Sequence, residues 1–97
     1  ADPVVLASIY KLKGDISSEE GNHSSALKYY QKAESLMAGN AIQTKYQLDI
    51  ASALLVQKNY NDALKTLEEI IDNIDAGFNE KNRAEELLAY TKYKMGI

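Results

Sequence analysis

Gly21-Asn22-His23-Ser24-Ser25-Ala26-Leu27-Lys28-Tyr29-Tyr30 and Lys58-Asn59-Tyr60-Asn61-Asp62-Ala63-Leu64-Lys65-Thr66-Leu67 are two versions of one segment. An Ala-Leu-Lys triplet occupies the same place in both, and Ala26 and Ala63 stand 37 residues apart. Self-similarity at a period of roughly 20–50 residues marks a repeat architecture, in which each unit buries its apolar face against the next. An alanine at such a place lets two helices cross closely, where a larger side chain would push them apart. Tyr30 and Leu67, four residues on, fall on the same helical face and fill the space beside the crossing.

Outward from this pair, hydrophobic spacing predicts five amphipathic helices. The first has Asp2 as N-cap and Pro3 at its first position, and runs to about Glu20 before the stop at Gly21-Asn22. Ser24 is the expected cap of the second, which reaches about Met37, with Gly39 free to take a left-handed conformation. Asn40 caps the third, to about Lys58. Asn61 caps the fourth, ending near Asp75, and Asn79 caps the fifth, which stops at Gly96. No segment alternates as a strand does. The expected fold is all-α, built from antiparallel helix pairs in one domain over residues 1–97. Its units cover about 4–37 and about 41–75, with a C-terminal capping helix over about 79–95. The opening Ala1-Asp2-Pro3, without an initiator Met, predicts a piece cut or processed from a longer chain.

Composition narrows the function classes. The 97 residues are 45% hydrophobic and 26% charged, the range of an ordinary folded domain rather than a disordered one. The longest apolar run, Ala53-Leu54-Leu55-Val56, falls far short of the ~20 residues of a membrane span. With no cysteine there is neither a disulfide framework nor a thiolate metal site. A net charge of −3, with 11 basic residues scattered among 14 acids, argues against nucleic acid, which needs a clustered basic face.

Over about two and a half units the sequence resembles the tetratricopeptide (TPR) family. In the first unit the leading aromatic of that pattern falls on Tyr10, the helix-one glycine on Gly14 and the turn glycine on Gly21. The small residue falls on Ala26, the next aromatic on Tyr30 and the second alanine on Ala33. Gln47, Ala51, Lys58, Ala63, Leu67 and Ile70 hold the matching places in the second unit, with Tyr60 at the turn stapling it against the helix. Lys13 at an apolar place, Ser17 for an aromatic and the missing closing prolines depart from the pattern. The resemblance implies a right-handed solenoid of helix pairs and a non-catalytic scaffold for protein–protein interaction, binding a peptide or protein in the concave surface of the first helices.

Carried over residue by residue, that surface includes Lys11, Asp15, Glu19, Lys45, Leu48, Asp49, Ser52, Leu55, Glu85 and Tyr93, with Ser8, Ser18, Val56, Asn82, Ala89 and Lys92 around them. A chaperone-binding subclass grips a terminal carboxylate with a lysine, two asparagines and a basic pair. Lys11 meets the lysine place, but Asp15 and Asp49 take the asparagine places and Asn82 and Glu86 the basic pair. Carboxylates there repel an acidic tail. The expected partner is therefore basic or apolar.

No catalytic, cofactor or metal residue is expected. His23 matches Tyr60 and reads as a turn-packing ring, and one histidine without cysteine makes no zinc site. Adjacent acids at Glu19-Glu20, Glu68-Glu69 and Glu85-Glu86 point in different directions and cannot flank one bond. Of the tyrosines, Tyr10, Tyr30 and Tyr60 read as packing residues, leaving Tyr29, Tyr46, Tyr90 and Tyr93 less constrained. Val5, Ile9, Leu12 and Ile16 form an extra apolar stripe on the first helix, whose expected cover is upstream helices or a second copy. One alternative follows from that stripe, an oligomerisation element working through it; another is implied by resemblance to bacterial membrane-tethered envelope TPR proteins, as the domain of one that assists chaperones or secretion. Compartment, cytoplasmic or envelope, is not legible.

Overall fold

Asp2 opens the first helix through its own carboxylate, whose Oδ1 accepts the Val4 N–H at 2.9 Å, with Pro3 behind it where a missing N–H costs nothing. The computed structural model describes residues 2–97, leaving Ala1 outside. Its elements, in order, are α1 (Pro3–Glu19), α2 (His23–Leu36), α3 (Gln43–Val56), α4 (Tyr60–Asp72) and α5 (Phe78–Met95). Among the described residues every regular element is helical.

The joints within the pairs are copies of one another. Gly21 at φ +80° and Lys58 at φ +61° take the left-handed conformation that ends a helix. The Asn22 N–H donates to the Ser17 carbonyl at 2.8 Å, and the Asn59 N–H to the Leu54 carbonyl at 2.9 Å. Each asparagine then caps the following helix, Asn22 accepting from the Ser25 N–H and Asn59 from the Asp62 N–H. Ser24 and Asn61 are therefore not the caps. The turn is so short that the residue after the left-handed one already serves, and asparagine suits that place. Tyr60 accordingly is the first residue of α4 and does not precede its cap, so the expected staple does not form. Two further starts differ from the sequence reading. α3 begins at Gln43, because Asn40 spends its Oδ1 on a local turn to the Ile42 N–H, and α5 begins after Gly77, with Asn79 already inside it. The fourth helix stops at Asp72, where Asn73 turns extended.

Each helix packs on the next, and α3 also meets α5, an order consistent with a helical repeat. The core is divided accordingly. One buried cluster draws Ala7, Ala33, Met37 and Tyr46 from α1, α2 and the start of α3. A second gathers Ala26, Tyr30, Ile50, Ala53, Leu54 and Ala63 from α2, α3 and α4. A third joins Ala51, Leu67, Ile70 and Ala84 from α3, α4 and α5. Ala26 and Ala63 are 1% and 0% exposed, as a close helix crossing requires. Tyr46, expected to be less constrained than Tyr10, Tyr30 and Tyr60, is a core residue. Dividing the core this way gives a slab of 44 × 33 × 17 Å rather than a sphere.

Candidate functional site

Lys11 lies in the third turn of α1 and reaches two carboxylates at once. Its Nζ donates to Asp15 Oδ1, one turn along the same helix, and to Asp49 Oδ1 on α3, each at 3.1 Å. From α2 the Tyr30 hydroxyl donates to the same Asp15 oxygen at 2.7 Å. The ring of Tyr30 reaches that point because Gly14 has no side chain. A Cβ there would sit 2.5 Å from the ring. One glycine thus sets a tyrosine, the tyrosine sets an aspartate, and the aspartate orients the lysine that ties α1 to α3.

The charges in this cluster do not balance: two carboxylates face one ammonium. Burial pulls the Lys11 ammonium toward deprotonation, but the Asp49 and Asp15 carboxylates outweigh it and hold its pKa above the ordinary lysine value. Burial raises the Asp49 carboxyl above its usual range, and Lys11 offsets only part of that. Burial, then the Asp15 carboxylate, push the Tyr30 phenol well above its ordinary value, so it acts as a neutral donor. All three contacts land on the Oδ1 atoms. The Oδ2 atoms of Asp15 and Asp49 make no hydrogen bond or ion pair among the described residues.

Beside Asp49 a shallow depression of about 230 Å³ runs between α3 and the start of α5, lined by Lys45, Leu48, Asp49, Asn79 and Glu80. Of the residues expected on the binding surface, the structure therefore joins Lys11, Asp15 and Asp49 directly and places Lys45 and Leu48 beside them. Leu55 instead packs against the core cluster of Ala26 and Ala63. Ser52, Glu19, Glu85 and Tyr93 are exposed on their helices, apart from this cluster's bonds. Sequence reasoning missed the Tyr30 hydroxyl, assigned to packing alone, and the Asn79 and Glu80 side chains. The sequence marked Asn79 only as a cap and Glu80 not at all, because the α3–α5 approach that sets them beside Asp49 is a tertiary fact.

The chemistry open to this patch is acceptance of hydrogen bonds and cationic charge beside a leucine. Among the described residues no group of three or more His, Asp or Glu side chains is placed to hold a metal ion. Nor is any described helix long and apolar enough to cross a membrane. No family model matches this chain, and neither a curated protein nor a solved structure shows detectable similarity to it.

Proposed function

We propose that the chain is a non-catalytic protein-binding module of the tetratricopeptide type, taking a peptide with basic and apolar side chains on its α1–α3–α5 face. The observation that carries this reading is the unbalanced cluster itself. Asp15 and Asp49 satisfy Lys11 through one oxygen each, which leaves their Oδ2 atoms unpaired among the described residues, with Asp49 in the depression that Leu48 also lines. An arginine or lysine of a partner would meet ready-made charge-assisted bonds there. The matched turns at Gly21-Asn22 and Lys58-Asn59 and the helix-by-helix division of the core support the repeat reading. The test is peptide selection against the folded chain, followed by calorimetry on the Asp15→Asn/Asp49→Asn double variant. Basic-apolar peptides whose affinity falls at least tenfold in that variant support the reading, and unchanged affinity rejects it. Leu55 is unsuitable for such a test, since a charge there would attack the core.

A second reading has its own observation. Val5, Ile9, Leu12 and Ile16 are between 44% and 59% exposed along one side of α1, an apolar stripe with no cover in the monomer. As a self-association element, the chain would show a mass that rises with concentration in sedimentation equilibrium, and Ile9→Glu would abolish the rise. A strictly monomeric mass up to the highest soluble concentration removes this reading.

A further inference from the structure

A cavity larger than the one beside Asp49 lies between α1 and α2 and has the opposite charge. It is an open groove of about 780 Å³ whose lining includes Leu6 and Leu36, and its charged lining consists of Lys28 and Lys32 alone. Tyr10 and Tyr29 stack within it, ring centroids 6.3 Å apart and 23° from parallel. Two ammonium groups each lie within reach of both rings. Lys13 Nζ lies 5.8 and 5.9 Å from the Tyr10 and Tyr29 centroids, and Lys32 Nζ 5.3 and 5.9 Å. Neither lysine, nor Lys28, makes an ion pair among the described residues. The aromatic faces therefore hold these cations in place without neutralising them.

The internal repeat supplies a control for this surface. Thirty-seven residues on, Lys13, Tyr29 and Lys32 correspond to Ile50, Thr66 and Glu69, while Lys28 corresponds to another lysine, Lys65. Ile50 is buried in the cluster that holds Ala26 and Tyr30, so the second pair uses this place for ordinary helix-on-helix packing. The first pair does not present an apolar seat there. It presents three unpaired lysines around two tyrosines, in a chain whose net charge is −3.

We infer that the α1–α2 groove is a second binding site, for a protein segment that combines acidic side chains with an aromatic or aliphatic one. Leu6 and Leu36 take the latter and Lys13, Lys28 and Lys32 take the former. Three cations at one groove are too few for a nucleic-acid track or a flat anionic lipid surface, whose binding scales with many accessible charges. This site is independent of the acidic patch on α1, α3 and α5.

A library of random 12-residue peptides displayed on phage, selected against the whole chain, tests the inference. Enrichment of peptides carrying Asp or Glu next to Leu, Phe or Tyr is expected. Their affinity should fall at least tenfold in Lys28→Glu/Lys32→Glu, both exposed positions, with the helical circular dichroism unchanged, and should weaken steadily as salt is raised. Recovery of only basic peptides overturns this site while leaving the acidic patch in place. Acidic peptides indifferent to the charge reversal overturn it as well, and so does a selection that enriches nothing. Binding of phosphatidylserine vesicles or of single-stranded RNA that is lost in the same double variant, without acidic peptides being selected, also overturns it.

Discussion

The two helix pairs fill one packing position with different chemistry. In α1–α2 a glycine faces a tyrosine, Gly14 giving up its side chain so that the Tyr30 ring can lie against the helix. In α3–α4 the same places hold Ala51 and Leu67, both fully buried. Leucine needs nothing beyond apolar neighbours. Tyrosine brings a hydroxyl that wants a partner when its ring is buried, and Asp15 supplies it, drawing in Lys11 and through Lys11 Asp49. The matching places in the second pair are Ser52 and Leu48, and no polar cluster forms on them. The difference teaches that the acidic patch grows out of the packing choice at Gly14 and is not an accident of surface charge.

That dependence is broken most directly at Gly14. Alanine is the better helix former by about 1 kcal/mol, yet its methyl would stand 2.5 to 3.0 Å from three atoms of the Tyr30 ring. The ring cannot swing clear, being buried and tied to Asp15. Overpacking should win, with Gly14→Ala lowering stability by about 2 kcal/mol in urea denaturation. Adding Tyr30→Leu copies the pair used by Ala51 and Leu67. The double variant should then recover part of the loss, a coupling that two independent sites would not show. Strict additivity would mean that the ring does not depend on the glycine.

Lys11 sharpens the comparison through pH. Replacing it with methionine leaves Asp49 half-buried beside Asp15 with no counter-charge. The loss should be about 1.5 kcal/mol at pH 7, the range for a charged hydrogen bond reduced for the partial exposure of the cluster. The sign follows from the shifts. The Asp49 carboxyl is raised above its ordinary 3.8 in the folded state, so its contribution favours folding at low pH and is lost as pH climbs through that raised value. Without Lys11 it rises further, so the variant's deficit should shrink as pH falls through that raised range and Asp49 takes up its proton. In the parent chain the Lys11 contribution is complete below its ordinary 10.5 and is lost only above it, as pH passes the raised folded value. A deficit that stays constant from pH 7 to pH 4 would place Asp49 outside the cluster's energetics.

Much of this arrangement was legible before any coordinates. The Ala26 and Ala63 match located two buried small-residue positions, Tyr30 fell at a packing place by the same alignment, and Gly14 and Ala51 by the resemblance to the family pattern. Helix number and helix ends came from the spacing of apolar residues and from glycines. Caps were the weak point, since Asn22-His23-Ser24 and Asn59-Tyr60-Asn61 each offer two chemically suitable residues and only the turn's hydrogen bonds choose between them. The site was half legible. Lys11, Asp15 and Asp49 were placed on one face, but their mutual bonding depends on how near α3 comes to α1, and periodicity carries no inter-helix distance. The lysine and tyrosine groove was not foreseen, because Lys13, Tyr29 and Lys32 lie on two helices whose facing sides the sequence does not phase against each other.

The smallest expected effect concerns the two turns themselves, which share every backbone hydrogen bond but not their left-handed residue. Gly21 takes φ +80° without a side chain in the way, whereas Lys58 holds φ +61° with a Cβ that crowds its own backbone. Both positions are exposed, and nothing lies within 4 Å of a Cβ built on Gly21. Packing therefore has no part in the comparison, and backbone conformation alone decides it. Lys58→Gly should raise stability by about 1 kcal/mol, since the relief of strain exceeds the added freedom of the unfolded chain. Gly21→Lys should lower it by a similar amount, and the exchange of both should leave the total close to that of the parent. Thermal melts of the three variants at one protein concentration measure this. If Lys58→Gly is neutral or harmful, the lysine side chain is contributing to its turn and the two joints are alike only in backbone.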